Sequence, residues 1–365
     1  MNTSTMTLTR KIQLLIDLPS KEERSEAFKT LYRWQNRCYR AANLIASHLF
    51  VQGMIKEFLY LSEEVKYKLV DEQKDELGIL NRSRMNTTYR LISDRFKGEI
   101  PTNILSSINQ STIKEYTRYQ SEYWSGERSL MNFKRNMPFP FSYEGMRGLS
   151  YNEEKNIFSF RLFSIPMVTY LGRDFSDKRS LLKKVMNGKT KLCTSQIQLK
   201  KGKIFMLGVF EIEKTENLLK PERIAEAALS IEFPVTVKTA MSKLQIGSKE
   251  EFLYRRLAIQ AARKRTQQGI SYAKSGKGYK RKTKAVDRFR ERERNYIDNR
   301  LHVYSRQLIN FCIKQQAGTL VLINQEKKMA VAKEEEFVLR NWSYYGLIEK
   351  IKYKAEMAGI EIIID

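Results

Sequence analysis

Two histidines, three cysteines and a scatter of carboxylates are what this 365-residue chain offers for catalysis. His48 and His302 fall inside helical patterns, and nothing nearby pairs with them as a nucleophile, so both read as structural and Ser-His-Asp or Cys-His chemistry is not expected. Cys38, Cys193 and Cys312 are too dispersed for a disulfide scaffold or a thiolate zinc site, which points to a reducing compartment. No GxxxxGK[ST] occurs, so the glycines in Ser275-Gly276-Lys277-Gly278-Tyr279-Lys280-Arg281-Lys282 are not a nucleotide cradle. That segment reads instead as a flexible basic loop able to touch a nucleic-acid backbone. The chemistry left to test is metal-dependent phosphodiester cleavage, where two Mg²⁺ ions require about three carboxylates fixed at strand or loop ends.

Charge gives the substrate class. The chain carries 66 Lys+Arg against 41 Asp+Glu, a formal net +25. Such a surplus repels itself and suits a polyanion, nucleic acid before membrane. It is also concentrated: Arg255–Arg300 holds 16 basic residues and only four acids, a net +12 in 46 residues. A solvated helix face would mix its signs. No apolar run nears the roughly 20 residues of a bilayer span, and Met1–Arg10 has no signal-peptide core. Hydrophobic content of 42% is enough to fill real cores, and the length suits two or three domains.

These residues must be positioned by recognisable elements. Thr7–Leu18 alternates as a half-buried strand, with Leu8, Ile12, Leu14, Ile16 and Leu18 on one face and Arg10 interrupting the row. Ser20 with Glu23 has capping-box spacing. Helical patterns follow at Ala27–Phe50, Met54–Val70, Ser83–Phe96 and Ile113–Trp124, with aromatic–cation neighbours such as Tyr32-Arg33-Trp34, Tyr39-Arg40, Tyr89-Arg90 and Arg118-Tyr119 that suit base stacking or core packing. Asn136-Met137-Pro138-Phe139-Pro140-Phe141 reads as a breaker. Ile157–Phe163, Ser195–Leu199 and Ile204–Ile212 read as strands, the last two joined by a hairpin turn at Lys200-Lys201-Gly202-Lys203. A strand, a helical insertion and more strands suggest a small β-barrel interrupted by a helical lobe.

After Pro221 the pattern becomes α/β. Ala227–Val237 reads as a strand, with Pro234 awkward in it, and helices are expected over Glu250–Gln267 and Ala285–Gln315. Ile297, Leu301, Tyr304, Leu308 and Phe311 form one apolar stripe on the second. Thr319–Ile323, Trp342–Ala358 and Ile360–Ile364 read as strand, helix and strand, with Gly359 closing the helix and the two strands parallel.

Lys183-Lys184-Val185-Met186-Asn187-Gly188 with the two strands that follow, Gly318-Thr319-Leu320-Val321-Leu322-Ile323-Asn324, Arg340-Asn341-Trp342 and Lys350-Ile351-Lys352-Tyr353-Lys354 resemble segments of the miniature type V-F CRISPR effectors, related to the transposon-encoded TnpB RNA-guided nucleases. The resemblance covers most of residues 137–365 and, more loosely, the helical lobe. It implies an α+β multidomain fold: residues 1–18 as the first strand of a wedge β-barrel, 19–136 as a helical recognition lobe, 137–218 as the rest of the barrel, and 219–365 as an RNase H-like (RuvC-type) α/β domain lacking the zinc ribbon.

The resemblance also locates the family's three carboxylates. The first falls in Ser230-Ile231-Glu232-Phe233-Pro234, so Glu232 replaces an Asp and Pro234 a glycine. The second falls on Ile323, beside Asn324. The third lies beyond a Cys₄ zinc ribbon, and the chain ends at Asp365 with no CxxC pair. Rescue by Glu326 or Asp365 would require a rebuilt loop. The implied protein is a catalytically inactive RNA-guided DNA binder with neither zinc nor catalytic Mg²⁺ as cofactor. It would hold a guide RNA, select double-stranded DNA by base pairing beside a short flanking motif, and regulate transcription by blocking a promoter or recruiting a sigma factor or RNA polymerase, as a bacterial, cytoplasmic and nucleoid-associated protein; a homodimer is among the partners the resemblance suggests. Backbone contacts are expected from Arg255, Arg256, Arg263, Lys264, Arg265, Lys277, Lys280, Arg281, Lys282 and Lys284, and flanking-motif reading from Tyr89. The alternatives are an active Mg²⁺-dependent RNA-guided endonuclease with a rebuilt site and a general RNA-binding protein.

Overall fold

The computed structural model describes residues 5–59, 84–172, 177–214, 217–230, 232–272, 276–323 and 344–365, which divide into two compact units, Thr7–Ile212 and Glu213–Asp365, the latter together with Thr5 and Met6.

The strand β1 (Thr5–Ile16) belongs to the first unit from Thr7 on, where its alternation buries Leu8, Ile12 and Leu14. The strand stops two residues short of Leu18. Arg10, the break in the apolar row, reaches Asp177 with two guanidinium nitrogens at 2.9 and 3.3 Å, so its charge is answered by a carboxylate. The capping box forms: Glu23 N–H donates to Ser20 Oγ at 3.0 Å and Ser20 N–H to Glu23 Oε2 at 3.3 Å. It starts α1 (Lys21–Leu59), which runs through Val51–Gly53 where the sequence suggested a break between two helices. Gly53 is a packing glycine: a Cβ there would lie 2.7 Å from the Trp124 ring. The remainder of the expected helix Met54–Val70, from residue 60 on, lies outside the described residues.

Then come α2 (Arg84–Phe96), α3 (Thr102–Arg118) and α4 (Gln120–Trp124). The helix expected from Ile113 begins eleven residues earlier, directly after Pro101, because Ile104, Leu105, Ile108, Thr112 and Tyr116 already form a buried stripe. It breaks at Tyr119.

The strands of this unit are β2 (Phe139–Phe141), β3 (Met146–Asn152), β4 (Ile157–Leu162) and β5 (Ile165–Tyr170), then α5 (Lys178–Met186), β6 (Lys191–Leu192), β7 (Ser195–Lys200) and β8 (Lys203–Glu213). They form one curled half-barrel sheet in the order β2-β7-β8-β1-β5-β4-β3, with β6 on β8. Among the described residues the hydrogen-bonded path has two ends, a half-barrel where the sequence suggested a small barrel. Phe139-Pro140-Phe141, taken as a breaker, is an end strand; Pro140 lacks an N–H, which an edge tolerates, and both phenylalanines are fully buried. The β7–β8 turn has positive φ at Lys201 (52°) and Gly202 (71°), the two left-handed residues a tight hairpin needs.

The second unit holds β9 (Lys220–Ala228), β10 (Val235–Lys238), β11 (Lys243–Ile246), α6 (Arg255–Ser271), α7 (Gly276–Lys314), β12 (Ala317–Leu322), α8 (Tyr344–Ala358) and β13 (Glu361–Ile364). A π-helical turn, Glu250–Tyr254, leads into α6. The strand order is β11-β10-β9-β12-β13, antiparallel among β9, β10 and β11 and parallel across β9, β12 and β13. The single strand expected over Ala227–Val237 is two antiparallel strands. Pro234 cannot donate to a ladder, and Ser230 Oγ closes the turn with both backbone groups of Phe233.

The stripe on α7 packs as its spacing requires: Leu301, Tyr304, Leu308 and Phe311 are buried against Ala225, Ala227, Leu320 and Leu322, with Ile297 at the margin. Gly359 (φ 75°) ends α8 in a Schellman turn, Ile360 N–H reaching Ala355 O at 2.9 Å and Gly359 N–H reaching Glu356 O at 3.3 Å. Trp342, where α8 was expected to begin, lies outside the described residues.

Candidate nucleic-acid interface

Residues 276–282 are the first turns of α7, not a loop. Two glycines among basic residues suggested flexibility, yet Lys282 Nζ donates to Gly269 O at 2.6 Å, capping the last turn of α6 and fixing the start of α7 beside it. Helices α6 and α7 pack along each other as a hairpin. Its apolar content is low, and a buried carboxylate holds the two helices together.

Glu293 of α7 is 7% exposed. Its Oε1 accepts from Arg256 Nε at 3.0 Å and Gln260 Nε2 at 2.7 Å, and its Oε2 accepts from Arg263 Nη1 at 3.1 Å. Burial alone would raise this carboxyl's pKa; the hydrogen bonds from Gln260 and Arg256 and the charges of Arg256 and Arg263 outweigh it and leave the pKa lowered. One turn further along, Glu251 accepts from Tyr304 Oη at 3.0 Å and pairs with Arg300, while its carbonyl accepts from Tyr296 Oη.

These contacts sort the expected phosphate-binding residues. Arg256 is 9% exposed and committed to Glu293, Arg263 shares that carboxylate, and Lys282 caps α6, so these three hold the hairpin together. Arg255, Lys264, Arg265, Lys277, Lys280, Arg281 and Lys284 are exposed. Helical geometry also brings together residues not singled out from sequence. Lys277, Arg281, Lys284, Arg288 and Arg292 are all exposed at spacings of 4, 3, 4 and 4, one cationic stripe about 22 Å long at 1.5 Å per residue. Periodicity would have revealed it had residues 276–284 been read as helix.

The second place of interest is the end of the parallel strands. Leu322 of β12 pairs with Ala227 of β9, and Ile323 N–H donates to Ala227 O at 3.0 Å. The next position on β9 is therefore Ala228. On the other side Asp365 N–H donates to Leu322 O at 3.0 Å. Glu232 is not on a strand: it lies exposed on the bend four residues beyond β9, its carbonyl accepting from Lys249 N–H at 2.9 Å. Sequence reading ran this strand through Pro234; in the structure it stops at Ala228, six residues before the proline. Asn324 and Glu326 lie outside the described residues. Among the described residues, no group of three or more His, Cys, Asp or Glu side chains is placed to hold a metal ion.

In the first unit, Tyr89 is half-buried on α2, two turns from the buried Phe96. Trp34, one of the aromatic–cation neighbours, packs edge-on to Phe139 and Phe163. Tyr119 lies under two guanidinium groups, Arg128 at 3.9 Å and Arg118 at 5.2 Å from its ring centre. Among the described residues no helix is long and apolar enough to cross a membrane.

A helix-interrupted curled sheet together with a mixed five-stranded α/β unit is an architecture also seen in a cryo-EM structure of a Cas12f1–sgRNA–target DNA complex. That structure aligns over 99% of this chain and 89% of its own with a TM-score of 0.67 at 16% identity. Two curated relatives carry the same name. The CRISPR-associated endodeoxyribonuclease Cas12f1 of Sulfoacidibacillus thermotolerans is 25% identical over 307 residues, 80% of this chain and 71% of the relative. That of Syntrophomonas palmitatica is 30% identical over 176 residues, 46% of this chain and 35% of the relative. No family model matches the chain. The chain is thus similar, over most of its length, to a miniature type V-F CRISPR effector.

Proposed function

We propose that this protein is an RNA-guided DNA-binding protein of the Cas12f1 kind that has kept nucleic-acid binding and lost the capacity to cut. The observation that carries the second half is the β9–β12 pairing. In the RNase H-like (RuvC-type) reading, which the strand order of three antiparallel and two parallel members supports, metal-binding carboxylates belong at the ends of these adjacent parallel strands. Here the strand ends are Ala228 and Ile323, and Glu232, matched to the first carboxylate by resemblance, lies exposed four residues beyond β9. A methyl group and a branched alkyl chain cannot ligate Mg²⁺, so these two strand ends do not fit a two-metal centre.

Binding does not need those carboxylates. Phosphate contacts position a nucleic acid, and guide pairing supplies sequence. Arg255, Lys264, Arg265, Lys277, Lys280, Arg281 and Lys284, with Arg288 and Arg292, are the backbone-contact set. Tyr89 remains the candidate reader of the flanking motif. The partners would be a guide RNA and target duplex, as the sgRNA and target DNA are for the Cas12f1 complex of like fold. A guided binder that leaves DNA intact acts as a regulator, by occluding a promoter or by recruiting a sigma factor or polymerase.

The relatives' own name, endodeoxyribonuclease, favours a second reading, in which this chain cuts through a rebuilt site. Reconstitution with guide RNA and a matched supercoiled plasmid in Mg²⁺ separates the two. A guide-dependent gel shift with the plasmid left supercoiled supports the proposal; guide-dependent nicking or linearisation overturns it.

A further inference from the structure

The motif Lys183-Lys184-Val185-Met186-Asn187-Gly188 lies at the end of α5, in the curled-sheet unit, and the hairpin described above leaves it without a role. Around it is a cleft of about 500 Å³ lined by Asp177, Arg179, Ser180, Lys183, Lys184, Asn187 and Lys189. Ser180, Lys183, Lys184 and Asn187 are one face of the helix, at i, i+3, i+4 and i+7. Four of the seven lining residues are cations, and the lone acid, Asp177, is paired with Arg10 through both of its oxygens.

Two further features prepare this cleft for an anion. Lys183 is held in place: its ammonium sits 4.3 Å from the centre of the Tyr151 ring, and that ring is fixed by a 2.6 Å hydrogen bond from its hydroxyl to Asn156 and by packing on Phe158. The end of a helix ordinarily turns bare carbonyls outward and repels anions. Here the chain closes on itself. Asn187 N–H bonds to Lys183 O at 3.0 Å, Gly188 N–H to Val185 O at 3.1 Å and Lys189 N–H to Lys184 O at 2.8 Å, with Gly188 at φ 70°. Three carbonyls are thereby satisfied, and the turn brings Lys189 back beside Lys184.

Resting on the nucleic-acid reading above, we infer that the α5 cleft is a second, separate phosphate site, which takes a phosphate of a single-stranded RNA together with its sugar. Lys184 and Lys189 are exposed, supply the mobile cations, and Ser180 and Asn187 supply neutral donors. A pocket of this size holds a small ligand-sized group and not a duplex.

The test uses the full chain and a short fluorescein-labelled single-stranded RNA, bearing either a 5′-phosphate or a 5′-hydroxyl, titrated across a salt series. Each phosphate contact on a single strand contributes about 0.7 to the slope of log affinity against log salt. K184Q/K189Q is therefore expected to lower that slope by about 1.4. The charge-matched control K155Q/K203Q, at two exposed positions of the same unit, should leave it nearly unchanged. A loss confined to the 5′-phosphate RNA assigns the cleft to a terminal phosphate, and an equal loss on both RNAs assigns it to an internal one; either supports the site. An unchanged slope in K184Q/K189Q, or the same loss in the control, overturns the cleft while leaving the proposed function standing. A parent protein that binds no RNA at low salt overturns both.

Discussion

Replacing Glu293 by glutamine keeps the shape of the hairpin's central side chain and removes its charge. Arg256 would be left 9% exposed without a counter-ion, and removing one partner of a buried ion pair costs about 3–5 kcal/mol. Arg263 loses the same partner, but its side chain is 31% exposed and can turn to water, so it adds little. About 3 kcal/mol is therefore the expected loss, the lower end of that range. For a domain of 150–250 residues each kcal/mol moves Tm by about 2–4 °C, which gives a fall of roughly 6–12 °C. Thermal unfolding followed by circular dichroism at neutral pH measures it, with D287N as an exposed control expected to stay within about 0.5 kcal/mol of the parent. The double variant E293Q/R256M removes the stranded cation as well and is expected to recover most of the loss, because replacing both members of a buried pair by uncharged groups is near neutral. A Tm for E293Q within 2 °C of the parent, on the scale of that control, would refute the reasoning, and so would a double variant less stable than E293Q. The lowered Glu293 carboxyl has a matching pH signature: its contribution is present above the ordinary glutamate range and is lost as pH falls through the depressed folded value.

Other outcomes follow from the same structure. R281Q/R288Q, on the exposed stripe of α7, should lower the salt slope of duplex binding by about 1.8 with little change in Tm, whereas R256Q should lower Tm far more than the slope; equal slope losses would deny the division between phosphate-facing and hairpin-holding arginines. A228D/I323E places two carboxylates on adjacent parallel strand ends and should create saturable Mn²⁺ binding in calorimetry that the parent lacks at this edge; a double variant no different from the parent would contradict that adjacency. Burial, with repulsion from Arg306 and Lys350, lowers the Lys354 ammonium to about 8. Because the unfolded chain then binds more protons, stability should rise from about pH 8 toward the ordinary lysine range, and K354M should flatten that rise. G359A forces a Cβ into the left-handed region at φ 75° and should cost about 1–2 kcal/mol in denaturant unfolding.

What could be read without coordinates depended on whether one local rule acted alone. The Ser20–Glu23 box, the Lys201-Gly202 turn, the α7 stripe and the Gly359 stop each follow from a few adjacent residues, and each formed. The readings that failed did so where a distant partner overrode a local signal. Gly53 looks like a helix weakness until Trp124 is seen packed on it, and Phe139-Pro140-Phe141 looks like a breaker until β7 pairs with it. Gly276 and Gly278 look like a loop until Lys282 ties the turn to Gly269. The candidate site was legible as a charge excess, but not in its division of labour. Nothing in the one-dimensional spacing of Arg256, Arg263 and Glu293 says that one carboxylate, 37 residues beyond the first, takes up two of the cations. The strand end at Ala228 was hidden by a single misplaced boundary.

The parallel arrangement of β9, β12 and β13 sets an order of events during synthesis. The β9–β10–β11 meander and the α6–α7 hairpin are built from neighbours in sequence, so they can form while the chain is still being made. The other side of β9 cannot be covered until Ala317–Leu322 has been translated, about 90 residues later, and β12 in turn waits for Glu361–Ile364. At about 5–20 residues per second, β9 spends roughly 5–20 s with one unpaired edge, close to a strongly cationic helical hairpin. Nascent RNA and ribosomal RNA are the polyanions nearest at hand during that interval, and either could shield the positive charge before the sheet closes. Yield of folded protein should therefore respond to translation speed between residues 229 and 316 more than to speed elsewhere in the second unit.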